Sequence, residues 1–246
     1  MIRVNVVLDE SGSMESICQE TIDGYNTYIK ELRESGNDMT VSLTKFNSLR
    51  VSTLYTRVPI HLGRVPKLTV DDYRPDGMTP LYDAIAKAIG EVGPADGDAV
   101  LFVIITDGLE NASTTYTRSL IQKLIAERQE QGWTFAYLGA NQDAWEVGQQ
   151  MGYHQGNVQN WDPNQAPKAW DGLSQATVCY AAAMTSGGKG YSADKTVKDF
   201  YGTEFEIGDA ANIEESKDVG SGTDSGTGQA GPKTTRRSRE KGKLSG

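Results

Sequence analysis

The sequence predicts an α/β domain built on a doubly wound, mainly parallel sheet with helices on both faces. Three observations predict it. Ile2 to Leu8 is an apolar run of strand length. Val100 to Thr106 is a second one, apolar without alternation, as expected of a strand covered on both faces. Between and after these runs, apolar residues recur at helical spacing, so strands and helices alternate as in parallel βαβ units.

Each element follows in order. Ile17, Thr21, Ile22, Tyr25, Ile29 and Leu32 define a first amphipathic helix that ends near Ser35-Gly36. Met39 to Phe46 and Leu49 to Tyr55 read as a hairpin around Asn47-Ser48. Lys45 and other polar residues interrupt its alternation, which places both strands near a sheet edge. Pro59 and Pro66 disfavour regular structure from Val58 to Val70, where a loop with a short strand or helical turn is expected. Asp71 to Met78, with Pro75 and Gly77, reads as an exposed loop. Thr79 is expected to cap the next helix, with Pro80 at its first position and Leu81, Ile85, Ala88, Ile89 and Val92 on its apolar face. Asp83, one turn in, reads as a solvated helix carboxylate.

The helix after the Val100 strand spans Tyr116 to Gln131 around Leu120, Leu124 and Ile125. Trp133 to Leu138 is another strand, closed by Gly139-Ala140. Asn141 or Asp143 caps a short helix through Met151. Gly156 to Asn160 is a last, short strand, and Trp170, Leu173, Thr177, Tyr180 and Met184 line the final helix.

Asp9-Glu10-Ser11-Gly12-Ser13 stands where the first strand ends and the chain turns toward a helix. Ligands of open α/β sheets bind at such carboxyl ends. One carboxylate and two hydroxyls, alternating by two, suit a hard divalent cation; the same residues also serve as ordinary helix caps. Gly77-Met78-Thr79-Pro80-Leu81 supplies another hydroxyl, and Thr106-Asp107-Gly108 ends the central strand with a second carboxylate.

With these three stretches the sequence resembles the von Willebrand factor type A domain family. Its metal-ion-dependent adhesion site combines Asp-x-Ser-x-Ser with a distant Thr and a distant Asp, positions filled here by Asp9, Ser11, Ser13, Thr79 and Asp107. The likeness runs from Met1 to about Met184, and Asp107 to Ser113 resembles small bacterial and phage members. The resemblance implies six strands in the order 3-2-1-4-5-6 with one antiparallel edge strand. It implies Mg²⁺, with Mn²⁺ or Ca²⁺ as alternatives, and Asp9 and Asp107 acting mostly through bridging waters. Neutral hydroxyls leave such an ion electron-poor, so an Asp or Glu of a partner protein is its natural further ligand. Glu10, Met14, Met78, Gly108 and Glu110 are expected around the rim, with Asn141 from the neighbouring loop. Glu110 has a second reading, closing the site from within.

The 246 residues accommodate one domain over 1–185, a linker and short packed extension over 186–215, and a tail over 216–246. The tail is rich in Gly, Ser and Thr, ends in basic residues, and is expected to be disordered. It serves solubility or, as the alternative, nucleic acid. A net charge of −9 argues against the whole chain binding nucleic acid. Cys18 and Cys179 read as buried free thiols in a reducing compartment. Met1 leads straight into the first strand, leaving no room for a signal peptide, and no apolar run is long enough to span a bilayer. A soluble, cytoplasmic protein is expected.

No G-x-G-x-x-G follows the first strand, and no Walker loop or nucleophile elbow occurs. His61 and His154 fall outside the three motifs. These features favour a binding module over an enzyme, a metal-dependent phosphoesterase being the catalytic alternative. Other readings are an accessory subunit of an ATP-driven, chelatase-like complex with an ATPase partner, and a phage structural protein.

Overall fold

The computed structural model describes residues 1–54, 60–93, 97–140, 144–162, 165–185 and 197–202. Seven strands form one sheet: β1 (Ile2–Asp9), β2 (Met39–Asn47), β3 (Arg50–Leu54), β4 (Ile60–His61), β5 (Ala99–Thr106), β6 (Thr134–Ala140) and β7 (Val158–Trp161). Their order is β3-β2-β1-β5-β6-β7, with β4 also pairing β2. From β2 to β7 all neighbours are parallel, while β3 and β4 run antiparallel to β2. The expected order therefore holds, and β4 is a two-residue addition that completes the antiparallel edge beside β3.

The alternation of β1 sorts its side chains between two cores. Ile2, Val4, Val6 and Leu8 face α1 (Cys18–Glu34) and α5 (Ala166–Thr185), whereas Val7 joins the opposite face with α2 (Leu81–Glu91), α3 (Arg118–Glu130) and α4 (Ala144–Met151). Beneath the second group, Phe102 stacks on Trp133 and Phe135 at centroid distances of 5.6 and 5.2 Å. The β5 side chains from Val100 to Thr106 are all buried, which explains their unbroken apolar run. Neither Cys18 nor Cys179 is in a disulfide, and both are half-buried rather than buried as expected. Among the described residues, no helix is long and apolar enough to cross a membrane.

The hairpin lies near a sheet edge, as expected, with β3 outermost and β2 between β3 and β1. Four expectations change. The polar interruption of β2 at Lys45 has another cause, an ion pair with Glu10 beneath the loops. Chain reversal after β1 begins with a 3-10 turn over Gly12–Ile17, and the α-helix starts only at Cys18. α2 begins at Leu81 with Pro80 in the capping position, not at Pro80 with Thr79 as cap. Thr79 is held outside the helix because its N–H donates to Asn111 Oδ1 (2.8 Å) and its carbonyl accepts from Asn111 N–H (3.1 Å). Asp83 is not a free helix carboxylate. It accepts from the backbone N–H groups of Thr114, Thr115 and Tyr116 and so ties the β5–α3 loop to α2.

Beyond α5, residues 197–202 pack back onto the domain. Asn157 accepts from Phe200 N–H (2.8 Å) and donates to Val197 carbonyl (2.7 Å). Phe200 is fully buried against Tyr180 and Tyr201.

Candidate metal centre

The carboxyl ends of β1 and β5 lie side by side and deliver Asp9 and Asp107 to the same edge of the sheet. Asp9 is the last residue of its strand and is fully buried. Its Oδ1 accepts from Ser11 N–H at 2.8 Å, so the carboxylate folds the Asp-x-Ser turn onto itself. Its Oδ2 accepts from Thr106 Oγ1 at 2.5 Å. Ser13 donates its hydroxyl to Asp107 Oδ1 at 2.6 Å, and Ser11 Oγ lies 3.2 Å from Ser13 Oγ. A hydroxyl that donates its one proton in this way keeps its lone pairs for another partner.

Thr79 comes from the third loop. Gly108 shows how closely it approaches: a Cβ at that position would lie 3.0 Å from Thr79 Oγ1, 3.5 Å from Ser13 Oγ and 3.7 Å from Asp9 Oδ2. Oxygens from the β1, α2 and β5 loops therefore surround one small space beside a residue without a side chain. With the Ser11–Ser13 and Ser13–Asp107 contacts, all five sequence-predicted ligands form one cluster.

Electrostatics single out the two carboxylates. Burial pushes the Asp9 carboxyl up to about 6, against the hydrogen bonds from Thr106 and Ser11, with the nearby Asp107 charge adding to the rise. Burial likewise raises Asp107, opposed by the Ser13 hydroxyl. Two desolvated acids side by side, braced by hydroxyls and without an ammonium or guanidinium on either, fit a hard cation. Among the described residues no cluster of three or more His, Cys, Asp or Glu suits a metal. The set gathered here is instead two carboxylates with three hydroxyls.

The rim differs from expectation. Glu10 is buried with no exposed surface, its Oε1 accepting from Lys45 Nζ (2.8 Å) and Arg74 N–H (2.7 Å). Met14 is equally buried, because the 3-10 turn directs it into the α1–α5 core. Glu110 is not aimed at the centre either. Its carboxylate accepts from the N–H groups of Tyr82, Ala112 and Ser113 and from the Ser113 hydroxyl, all at 2.7–2.9 Å. Met78 is exposed, and Gly108 lies against the Thr79, Ser13 and Asp9 oxygens. Asn141, with Gln142 and Asp143, lies outside the described residues. Asn160 Oδ1 accepts from Ala144 N–H at the start of α4 (2.8 Å).

Sequence reasoning missed several supporting residues. Thr106 bridges Asp9 to the β5 loop, and also accepts from Gly108 N–H (3.1 Å). The Tyr73 hydroxyl donates to the Asp9 carbonyl at 2.5 Å. Lys45 also reaches the Asp72 carbonyl. Ser48 exchanges two 2.9 Å bonds with Met78, and Gly77 beside it has φ +72°. Lys45 was the one visible signal: a lysine at an inward position of a strand needs a buried acid nearby.

No protein-family model matches the sequence, and no curated protein sequence does. Solved structures do match. The von Willebrand factor type A protein of Catenulispora acidiphila superposes with TM-score 0.50 at 13% identity, over 72% of this chain and 42% of that one. The fold is that of a von Willebrand factor type A domain. Two other solved proteins match this chain. The pilus adhesin SpaC of Lactobacillus rhamnosus GG gives TM-score 0.59 at 12% identity, over 72% of this chain and 30% of the adhesin. Proximal thread matrix protein 1 of the mussel byssus gives 0.56 at 13% identity, over 72% and 46%. A second structure of the mussel protein, with zinc in its metal-ion-dependent adhesion site, gives 0.55 at 12% identity over the same shares. This chain thus spans less than half the length of each of these proteins.

Proposed function

We propose that this chain is a metal-dependent protein-binding module rather than an enzyme. A divalent cation, Mg²⁺ first among the candidates, is held by the hydroxyls of Ser11, Ser13 and Thr79, with Asp9 and Asp107 providing the negative charge. When bound, the ion supplies an electron-poor centre for a carboxylate of a partner protein. The observation that carries this reading is the meeting of oxygens from three loops around the space beside Gly108. The zinc-occupied site of the mussel protein supports a metal in such a centre, and the adhesin supports a role in protein contact.

The chain's own residues do three things in this scheme. Thr106 and the Ser11 N–H orient Asp9. Ser13 orients Asp107 while leaving its oxygen free to coordinate. The Asn111 bridge holds Thr79 out of its helix and toward the centre. A catalytic role finds little support. His61 sits opposite Thr40 near the start of β2, at the other end of the sheet, and His154 precedes the start of β7.

Calorimetric titration with MgCl₂, MnCl₂ and CaCl₂ tests the site. Saturable binding by the wild-type chain, weakened by about 10–100-fold in Asp107→Ala at unchanged circular dichroism, is the expected result. An affinity that Asp9→Ala and Asp107→Ala both leave intact would sink the proposal.

A further inference from the structure

We propose that the opposite end of the sheet holds a second, metal-independent site, which takes a small organic carboxylate with an apolar body. A cavity of about 850 Å³ lies there, at the N-terminal ends of β1 and β5. That volume falls within the roughly 300–1,000 Å³ of small-molecule sites. β1 is eight residues long, so about 25 Å of strand separate the cavity from Asp9. The sequence builds the polar wall locally. α3 is followed by Gln131-Gly132-Trp133, and Gly132 takes φ +83°. The Gly132 N–H donates to the Gln129 carbonyl (2.9 Å) and the Trp133 N–H to the Arg128 carbonyl (3.0 Å). This pair of bonds closes the helix and folds Trp133 back toward Arg128. The Arg128 guanidinium lies 5.2 Å from the centre of the Trp133 ring, and Phe102 stacks on the same ring.

Bonding and charge define the ligand. Arg128 Nη1 donates to Gln131 Oε1 (3.0 Å), but among the described residues its buried Nε has no partner and no carboxylate pairs with the guanidinium. An under-bonded cation in the wall of a cavity calls for an anion. The acid already there does not serve. Asp98 also lines the cavity, but Arg3 Nε and Nη2 both lie 2.7 Å from its Oδ2, and the Met1 ammonium lies 3.4 Å from its Oδ1. Glu91, Glu127 and Glu130 are close in sequence and do not line the cavity. Arg128 is therefore left as the lining charge without a counter-ion, and one guanidinium matches a monoanion. A phosphate ester, at about −1.5 to −2, would stay partly unmatched. Ile2, Val92, Trp133 and Met184 form apolar walls, so the carboxylate must carry an apolar body.

Titration calorimetry of the full chain tests this with 2-naphthoate and decanoate, each against its own carboxamide, and with 2-naphthyl phosphate. Saturable one-to-one binding of at least one carboxylate is expected, in EDTA as in MgCl₂. The matching carboxamide should bind about tenfold more weakly. Arg128→Gln should lower carboxylate affinity about tenfold while leaving carboxamide affinity and the Mg²⁺ titration unchanged. Met184→Trp, which narrows the cavity from the α5 side, should weaken acid and amide alike. Equal affinity of acid and amide, or of wild type and Arg128→Gln, would overturn the proposal. So would failure of both carboxylates to bind at millimolar concentration, or binding that EDTA abolishes. Tighter binding of 2-naphthyl phosphate than of 2-naphthoate would refute the choice of a carboxylate.

Discussion

Carboxylates fill two regions at the top of this sheet, and their partners separate them. In the centre, Asp9 and Asp107 receive one or two bonds each, partly from hydroxyls that remain able to coordinate something else. In the surrounding struts, Asp83 and Glu110 are bonded through both oxygens by backbone N–H groups, and Glu10 is held through its Oε1 by the Lys45 ammonium and the Arg74 N–H. Backbone amides are fixed in number and direction, so a carboxylate that caps them is committed to holding a loop. A carboxylate braced by hydroxyls stays available. Position in the sequence says little about this, since Asp9 and Glu10 are neighbours with opposite roles.

The largest test of the contrast is Glu10→Ala. It strands the buried Lys45 ammonium and frees the 71–78 loop, and a loss of about 3–5 kcal/mol is expected. In thermal unfolding this is a fall in Tm of about 10 °C. A variant as stable as wild type would put Glu10 back on the rim.

Asp9 should respond with the opposite sign. Its carboxyl titrates near 6 in the fold, against 3.8 for the free side chain, because burial disfavours the charge. The folded state keeps the proton to higher pH than the unfolded chain. Without divalent cations, stability is therefore lost as pH rises from about 4 to about 6, by roughly 3 kcal/mol. Asp9→Asn should flatten that slope and be more stable than wild type at pH 7, while losing the stabilisation that Mg²⁺ gives the wild type. Denaturant midpoints across this pH range decide it, and a wild-type curve that rises through the window would contradict the assignment.

The smallest expected effect is at Glu110. Glu110→Gln keeps one oxygen for the Ala112 and Ser113 amides, and a loss of about 1–2 kcal/mol is expected. Mg²⁺ affinity should change less than threefold. A larger change would move Glu110 from the struts into the centre.

The meeting of the five candidate ligand residues was legible because they sit at the ends of apolar runs, where spacing alone fixes which loop a residue belongs to. The strands were legible for the same reason: β5 has no polar residue before Thr106. What surrounds the ligands was not. Glu10 and Met14 flank motif residues, yet both turn inward: Met14 because the 3-10 turn over Gly12–Ile17 directs it there, which no periodicity announces, and Glu10 because Lys45 and the Arg74 N–H hold it. Thr106 reads as the last residue of a strand, and its bond to Asp9 needs the register between β1 and β5. Asn111 and Asp83 act across 31 or more positions, on the backbone of segments whose approach only the folded chain defines.

Gly108 gives the centre its entrance. Its φ is not among the left-handed values, so alanine could adopt the same backbone there. Yet the added methyl would press on the Thr79 hydroxyl at 3.0 Å and stand in the space that Ser13 and Asp9 also border. One carbon atom would then act as a plug: the domain would keep its architecture and stability while its doorway closed to any visitor.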